Sequence, residues 1–452
     1  MAIVLNWPSK SAAMEQAAIA AESPQPLVAI SASESEDRLI QGDNLSVAAA
    51  LLSTHRGRFD LIAIDPPFAA GMDFQARITT NSGRQRVKAY GDKWQNGVEG
   101  YLDMIVPRLI LMTRLLKPEG SMVVHCDWRV SHHIRSLLDE LMPGGFRNQI
   151  AWIYSRTGRG AKAHARQFPR NHDQLIWAAK GPNPKFFGDV FIRHYSEKEA
   201  KRRGFRQDEK GRWYKTAPRG DYTDESIERL RREERIHITS GGKIRIKYFL
   251  PMESGAVVEK LPVGDAWLDI PDAMHLSKAE QTGYATQKPL RLQERLISAL
   301  TEPGDLVGDF FCGSGSTLVA ASRLGRRYVG CDMGELAIHT AFKRLGSSPP
   351  ALHVSGSPVW MDVDLNVVRH ADRLTLSSPD DWPVHSELRL NAAEWIDSWS
   401  VGRMGPKGFE SHWTSRRENG RLSMDCRRGY RDATHIMVWD VLGRRVLKRL
   451  SA

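Results

Sequence analysis

Asp60-Leu61-Ile62-Ala63-Ile64-Asp65-Pro66-Pro67-Phe68 is the stretch on which the reading of this chain turns. Leu61 to Ile64 is a short aliphatic run, the pattern of a strand buried on both faces of a parallel sheet. It stops at an acid, two prolines and an aromatic ring. Proline cannot continue a central strand, so Asp65 falls at or just past the strand's carboxyl end. In open α/β sheets ligands bind at that edge. Two readings stay open on these nine residues alone: a strand closed by a proline turn, and an active-site rim.

Around this stretch the rhythm is βαβαβ, the pattern of a doubly wound sheet. A strand end at Leu39 to Asn44 precedes a helix near Leu45 to Leu52. Gly100 to Lys117 has apolar residues at helical spacing, Ser121 to Cys126 is a second buried strand, and His132 to Leu141 is a helix. Gln149 to Tyr154 and Gln174 to Ala179 read as further strands. Ala69 to Lys93 has little periodicity and is expected to be a long loop, either functional or plain surface. Residues 1 to 36 are expected to form a mobile or weakly ordered lead-in. The pattern resumes at Thr286, with a helix over Leu290 to Leu300 and strands at Leu306 to Asp309 and Arg327 to Cys331. Residues 347 to 452 turn β-like, with alternation over Val384 to Leu390 and a hairpin turning at Gly443.

The chain has 452 residues, a formal net charge of +11, 41% hydrophobic and 26% charged residues. Those values describe a globular protein with a polyanionic partner, most simply nucleic acid. Much of the surplus lies in Phe191 to Leu250, where seventeen Lys and Arg face ten Asp and Glu. Trp213, Tyr214, Tyr222, Tyr248 and Phe249 are interleaved with them. Residues 181 to 285 are therefore expected to be an inserted, nucleic-acid-facing module, with Lys201, Arg202, Arg203, Arg206, Lys243 and Arg245 as DNA-binding candidates. Asp224 to Arg235, where both signs alternate, reads instead as a solvated helical face. A further basic stretch is Arg156, Arg159, Lys162, Arg166 and Arg170. The four cysteines form no CxxC pair, so neither a disulfide framework nor a metal site is expected, and a reducing cytoplasm is. No apolar run approaches the ~20 residues of a membrane span.

Asp309-Phe310-Phe311-Cys312-Gly313-Ser314-Gly315-Ser316 joins a strand to a helix. Gly313 and Gly315 let backbone approach a ligand, and the helix amino terminus behind them favours an anion. Asp332 follows the next strand at the separation expected of an acid that holds ribose hydroxyls. Together these indicate a nucleoside cofactor.

With the opening nine residues, this loop resembles the amino-type DNA methyltransferases that use S-adenosylmethionine. Asp65-Pro66-Pro67-Phe68 matches their catalytic tetrapeptide. The loop from Asp309 to Ser316 matches D-P-F-x-G-S-G-T, with Phe310 for Pro and Ser316 for Thr. Thr286-Gln287-Lys288-Pro289 matches the T-Q-K-P segment before it. The catalytic motif precedes the cofactor loop, which looks like the permuted β class, including type III modification subunits and solitary adenine methylases. Val438 to Gly443 is similar to the segment ending many type III-like proteins.

The resemblance implies a Rossmann-like α/β sheet with a catalytic half at 37 to 180, a cofactor half at 286 to 346 and a β-rich extension at 347 to 452. It implies methyl transfer to adenine N6 of a base flipped out of double-stranded DNA. N4-cytosine methylation and an inactive DNA-binding relative are the alternatives. Asp65 and the Pro66 carbonyl would accept hydrogen bonds from the amine, on a turn fixed by Pro67, and Phe68 would stack on the base. Asp309, Phe311, Gly313, Ser314, Gly315, Asp332, Lys288 and Asp43 would hold the cofactor. For Asp43 and Asn44 a turn-stabilising pair is the equal alternative, and for Phe311 a core aromatic. His125 and Asp127, at the same sheet edge, are open to a substrate role; His132-His133 reads as a helix start. A restriction subunit and a homodimer are compatible partners, and DNA would tie the protein to the nucleoid.

Overall fold

The computed structural model describes residues 4–80, 83–155, 157, 166–346, 349–377, 382–383, 388, 390, 392–418 and 421–450. A sheet of 14 strands runs through the main body. In chain order its strands are β1 (Leu27–Ser31), β2 (Arg38–Gln41), β3 (Phe59–Ile64), β4 (Leu116–Cys126), β5 (Phe146–Ile153), β6 (His172–Ala179) and β7 (Ala266–Trp267). They continue with β8 (Leu306–Asp309), β9 (Arg327–Asp332), β10 (Ala351–Ser355), β11 (Ile396–Gly405), β12 (Gly408–Arg416), β13 (His435–Asp440) and β14 (Arg445–Arg449). The spatial order is β7-β5-β6-β4-β3-β8-β9-β2-β10-β1-β12-β11-β13-β14.

The six central strands, β4-β3-β8-β9-β2-β10, are parallel throughout. All six residues of β3 are buried, as its aliphatic run requires. From β3 the chain continues to β4 on one side, whereas β8 continues to β9 on the other. The junction of β3 and β8 is therefore the topological switch point, where a crevice opens at the carboxyl ends of the strands. There Leu61 pairs with Val307 and Ile62 with Gly308, across more than two hundred residues of sequence.

Helices Lys10–Glu22, Asn44–His55 and Val98–Leu115 pack together over one face, meeting Ile40, Ile62, Ile64, Met122 and Val124. The expected mobile lead-in is thus ordered. Alanine is the best helix former, and Ala13 and Ala17, one turn apart, give a flat face that buries completely. Trp7 Nε1 donates to Asp103 at 2.8 Å and Lys10 pairs with Glu140 at 2.6 Å. β1 then enters the sheet.

The expected loop over Ala69 to Lys93 is a hairpin of Met72–Thr80 and Gly83–Asp92. Its apolar residues Ala76 and Val87 are buried in a cluster with Trp395, Trp399 and Val438 of the C-terminal region. In the expected β-rich extension, β10 to β14 continue the same sheet, and Asn366–Arg369, Leu374–Ser377 and Asp425–Cys426 form a separate three-stranded sheet. The hairpin at Gly443 is present, with φ +85 at that glycine. Most of Val384 to Leu390 lies outside the described residues, as do Arg156, Arg159 and Lys162.

Gly188–Gly264 forms a second compact unit, inside the span of 181 to 285 expected for the insertion. It holds a four-stranded and a three-stranded sheet, with helices Glu197–Arg202 and Asp224–Arg232. Trp213 and Tyr214 are buried, so they serve its core and are not presented to bases. Ile227 and Leu230 fasten the alternating-charge helix, and its other side chains face outward or lie half-buried. Among the described residues no helix is long and apolar enough to cross a membrane.

Candidate functional site

Asp65 follows the last residue of β3 and Asp309 ends the adjacent β8, so chain direction alone brings both carboxylates to one crevice. Between them lies a cavity of about 530 Å³. Asp65, Pro67, Lys288, Asp309, Phe311, Gly313, Ser314 and Asp332 line it. Four of the predicted residues, Pro66, Phe68, Gly315 and Asp43, are not part of its wall. A Cβ at Gly315 would sit 2.8 Å from that of Ala341, and its φ is +78, so glycine there serves the packing of helix Glu335–Arg344.

The Asp43 carboxylate caps the helix at Leu45 N (2.9 Å) and pairs with Arg108 at 2.6 Å. Its neighbour Asn44 does line the cavity, as do Arg108, Tyr90, Tyr284, Trp94 and Met104. These arrive from four separate segments, and their residue types carry no motif.

Asp65 sits in a chain of charges. One oxygen pairs with Lys288 and the other lies 3.0 Å from His125 Nδ1. His125 Nε2 in turn lies 3.3 Å from Asp173. Burial alone would raise the Asp65 carboxyl, but Lys288 and His125 outweigh it and hold it at about 2. Burial and Lys288 would lower His125, and the carboxylates of Asp65 and Asp173 outweigh them and push it up. Asp65 Oδ1 and His125 Nδ1 are close without hydrogen-bond alignment, and each is buried with no hydrogen-bond partner. Such an acceptor favours a donor brought in by a ligand. Phe68 packs edge-on to His125 with ring centroids 5.4 Å apart, and Lys288 Nζ lies 5.4 Å from the Phe68 ring centre.

The turn itself is held by a residue that sequence reading missed. Asp92, at the end of the hairpin and 1% exposed, accepts hydrogen bonds from the backbone N–H of Phe68, Ala69 and Ala70 and from the Trp94 indole. Ala69 has φ +56, a left-handed conformation that these bonds sustain. Nothing near Asp92 in the sequence marks it, because the turn it holds lies 22 to 24 residues away.

On the other side, Asp332 accepts from Gly313 N at 2.8 Å and Gly334 N at 2.9 Å. Burial raises Asp309 to about 7, with Asp65 and Asp332 adding to the effect, while Thr317 and the Phe311 N–H oppose it.

Residues 59–343 match the DNA methylase family of N6 and N4 methyltransferases. The chain belongs to this family. It is 30% identical over 341 residues to the type II methyltransferase M.EcaI of Enterobacter cloacae, covering 70% of this chain and 72% of that one. It is 24% identical over 328 residues to M.BglII of Bacillus subtilis, covering 69% and 70% respectively. Among solved structures, similarity extends to a DNA modification methylase of Thermus thermophilus complexed with S-adenosyl-L-methionine, at 18% identity and a TM-score of 0.39, covering 70% of this chain and 99% of that one. The cytosine-N4-specific PvuII methyltransferase gives 14% identity and a TM-score of 0.39, covering 71% and 89%.

The protein is thus a DNA methyltransferase, and its cofactor is S-adenosylmethionine. The cavity fits that group. Its cations Lys288 and Arg108 are paired with Asp65 and Asp43, which leaves the lining carboxylates Asp309 and Asp332 without an ion-pair partner among the described residues. The balance favours a cationic sulfonium. Gly313 leaves a narrow cradle, since a Cβ there would lie 3.3 Å from the Tyr284 ring.

Proposed function

We propose that this methyltransferase acts on adenine N6 in double-stranded DNA and belongs to the permuted β class. The observation that carries the reading is Asp65 Oδ1 at the end of β3, a buried acceptor whose neighbour His125 Nδ1 lies at 3.0 Å but out of hydrogen-bond alignment. An exocyclic amine is a poor nucleophile because its lone pair is delocalised into the ring. Hydrogen bonds from its N–H groups to Asp65 and to the Pro66 carbonyl would bring the lone pair forward and stabilise the charge that develops. A carboxylate held at about 2 stays ionised and accepts hydrogen bonds at any physiological pH. Phe68 would stack on the base, worth ~1–3 kcal/mol, once the base has left the duplex. S-adenosylmethionine supplies the electrophilic methyl group. Asp309, Phe311, Gly313, Ser314, Asp332 and Lys288 would hold it, with Gly315 shaping the loop and Asp43 acting through its neighbour Asn44.

The order of motifs, catalytic before cofactor, supports the permuted class, and the acid heading the tetrapeptide supports adenine. In the unit Gly188–Gly264, Lys201, Arg202, Arg203, Arg206 and Lys243 are exposed and suited to phosphates. Arg245 is half-buried and donates to Thr216, which limits its reach. The type II relatives support a role beside a restriction enzyme. Single-molecule sequencing of DNA from cells expressing the protein tests the choice of base and shows the site. N6-methyladenine at one recurring site is expected; N4-methylcytosine there would overturn the choice of base.

A further inference from the structure

A second cavity, of about 1180 Å³, lies beside the hairpin in the main body. Seven Lys and Arg line it, against only two acids, Glu280 and Asp397. Both acids are committed internally. Asp397 accepts from His339 Nε2 and Lys343 Nζ, each at 2.7 Å, and Glu280 accepts from Leu290 N at 2.7 Å. Lys343 is thereby paired, and Arg323 lies 3.7 Å from Glu294, so the uncancelled positive charge sits with the other wall cations, chiefly at the rim.

Two further observations point to an anion. Arg344 is half-buried in the wall and donates to the Ser314 carbonyl at 2.7 Å and to the hydroxyls of Ser314 and Ser316, with no carboxylate in hydrogen-bond reach among the described residues. Burial lowers its guanidinium to about 10, with Glu280 opposing the shift and the neighbouring Arg323 adding to it. At the rim, Arg77, Arg84 and Lys278 are exposed and have no ion-pair partner among the described residues.

We propose that this cavity is a docking groove for the sugar-phosphate backbone of the DNA substrate, built by the hairpin, the cofactor half and the C-terminal strands. The cations are spread round the walls of a large, open cavity, so a single phosphate meets few of them, whereas an extended polyanion meets them in succession. The inference rests on the methyltransferase reading only for the identity of the polyanion. Docking here engages the hairpin that ends in Asp92, and Arg344 joins the groove to the cofactor loop.

The test compares full-length wild type with Arg77→Gln/Arg84→Gln/Lys278→Gln, titrating a fluorescent duplex across a series of salt concentrations. Calorimetric binding of S-adenosylmethionine serves as the control for folding. The variant is expected to bind duplex at least ~10-fold more weakly, and the slope of log affinity on log salt should fall by ~2–3, at ~0.9 per phosphate lost. The matching Lys variants of Arg77 and Arg84 should recover the slope. Unchanged duplex affinity and slope in a variant that binds cofactor overturns the proposal. So does a wild-type Tm shift with inorganic phosphate that the variant loses while duplex binding stays intact, which would make the cavity a small-anion site. A wild type that binds and methylates no duplex overturns the methyltransferase reading as well, and is told apart by that failure.

Discussion

Asp92 Oδ2 accepts a hydrogen bond from the backbone N–H of Phe68 at 3.1 Å, although 24 residues separate them. The same carboxylate takes the N–H groups of Ala69 and Ala70 and the Trp94 indole. The catalytic turn is thereby tied to the far end of the hairpin. Asp92→Ala strands these donors in a buried site, which costs ~3 kcal/mol or more. Urea denaturation should show that loss. Turnover should fall by at least ~10-fold even where the variant remains folded, because the Pro66 carbonyl loses its fixed aim. Full turnover in a folded Asp92→Ala protein would show that the turn holds without it.

The amino-terminal helix offers a second check. Trp7 is 7% exposed and anchored to Asp103, and it packs in the same cluster as Ala13 and Ala17. Trp7→Ala should destabilise the protein by ~3–5 kcal/mol, as expected for a large buried aromatic. A thermal melt shifted by less than a degree or two would mean that the first two dozen residues contribute little.

The site was legible where a single segment carries its own chemistry. Asp65-Pro66-Pro67-Phe68 and the loop from Asp309 to Ser316 each end a strand, and strand direction decides where those ends lie. Their adjacency follows from the pairing of β3 with β8, which periodicity does not specify. Asp92 and the ion pair of Lys288 with Asp65 were not legible, because each joins positions far apart in sequence. The hairpin after Phe68 escaped for another reason. Its strands carry Arg, Gln, Lys and Thr on the open side, and only Ala76, Ile78, Val87 and Ala89 meet the core, too sparse an alternation to stand out. The lead-in was misread because alanine serves equally in disordered tracts and in closely packed helices.

A pH dependence follows from Asp309. Burial raises it from 3.8 to about 7 in the folded protein. A carboxyl whose folded pKa is raised contributes its full stability below the unfolded value, and that contribution is lost as pH rises through the folded one. Asp65, held at about 2, contributes an opposite, rising slope that ends once pH is well above its unfolded value of 3.8. His125, raised above its ordinary value, adds its own decline at higher pH. Cofactor-free protein should therefore lose Tm as pH rises from about 4 to about 7, and Asp309→Asn should remove that part of the decline. Identical pH profiles for the two proteins would refute the assignment.

The central claim is that Asp65 receives the exocyclic amine of a flipped adenine. Mass spectrometry of nucleosides from duplex DNA, after incubation with S-adenosylmethionine and either wild type or Asp65→Asn, tests it most directly. The account predicts N6-methyladenine from wild type and a loss of at least ~10²-fold with the variant, the scale seen when a preorganised group facing developing charge is removed, while calorimetry still detects cofactor binding. Wild-type levels of methylation by Asp65→Asn, or N4-methylcytosine in place of N6-methyladenine, would contradict it.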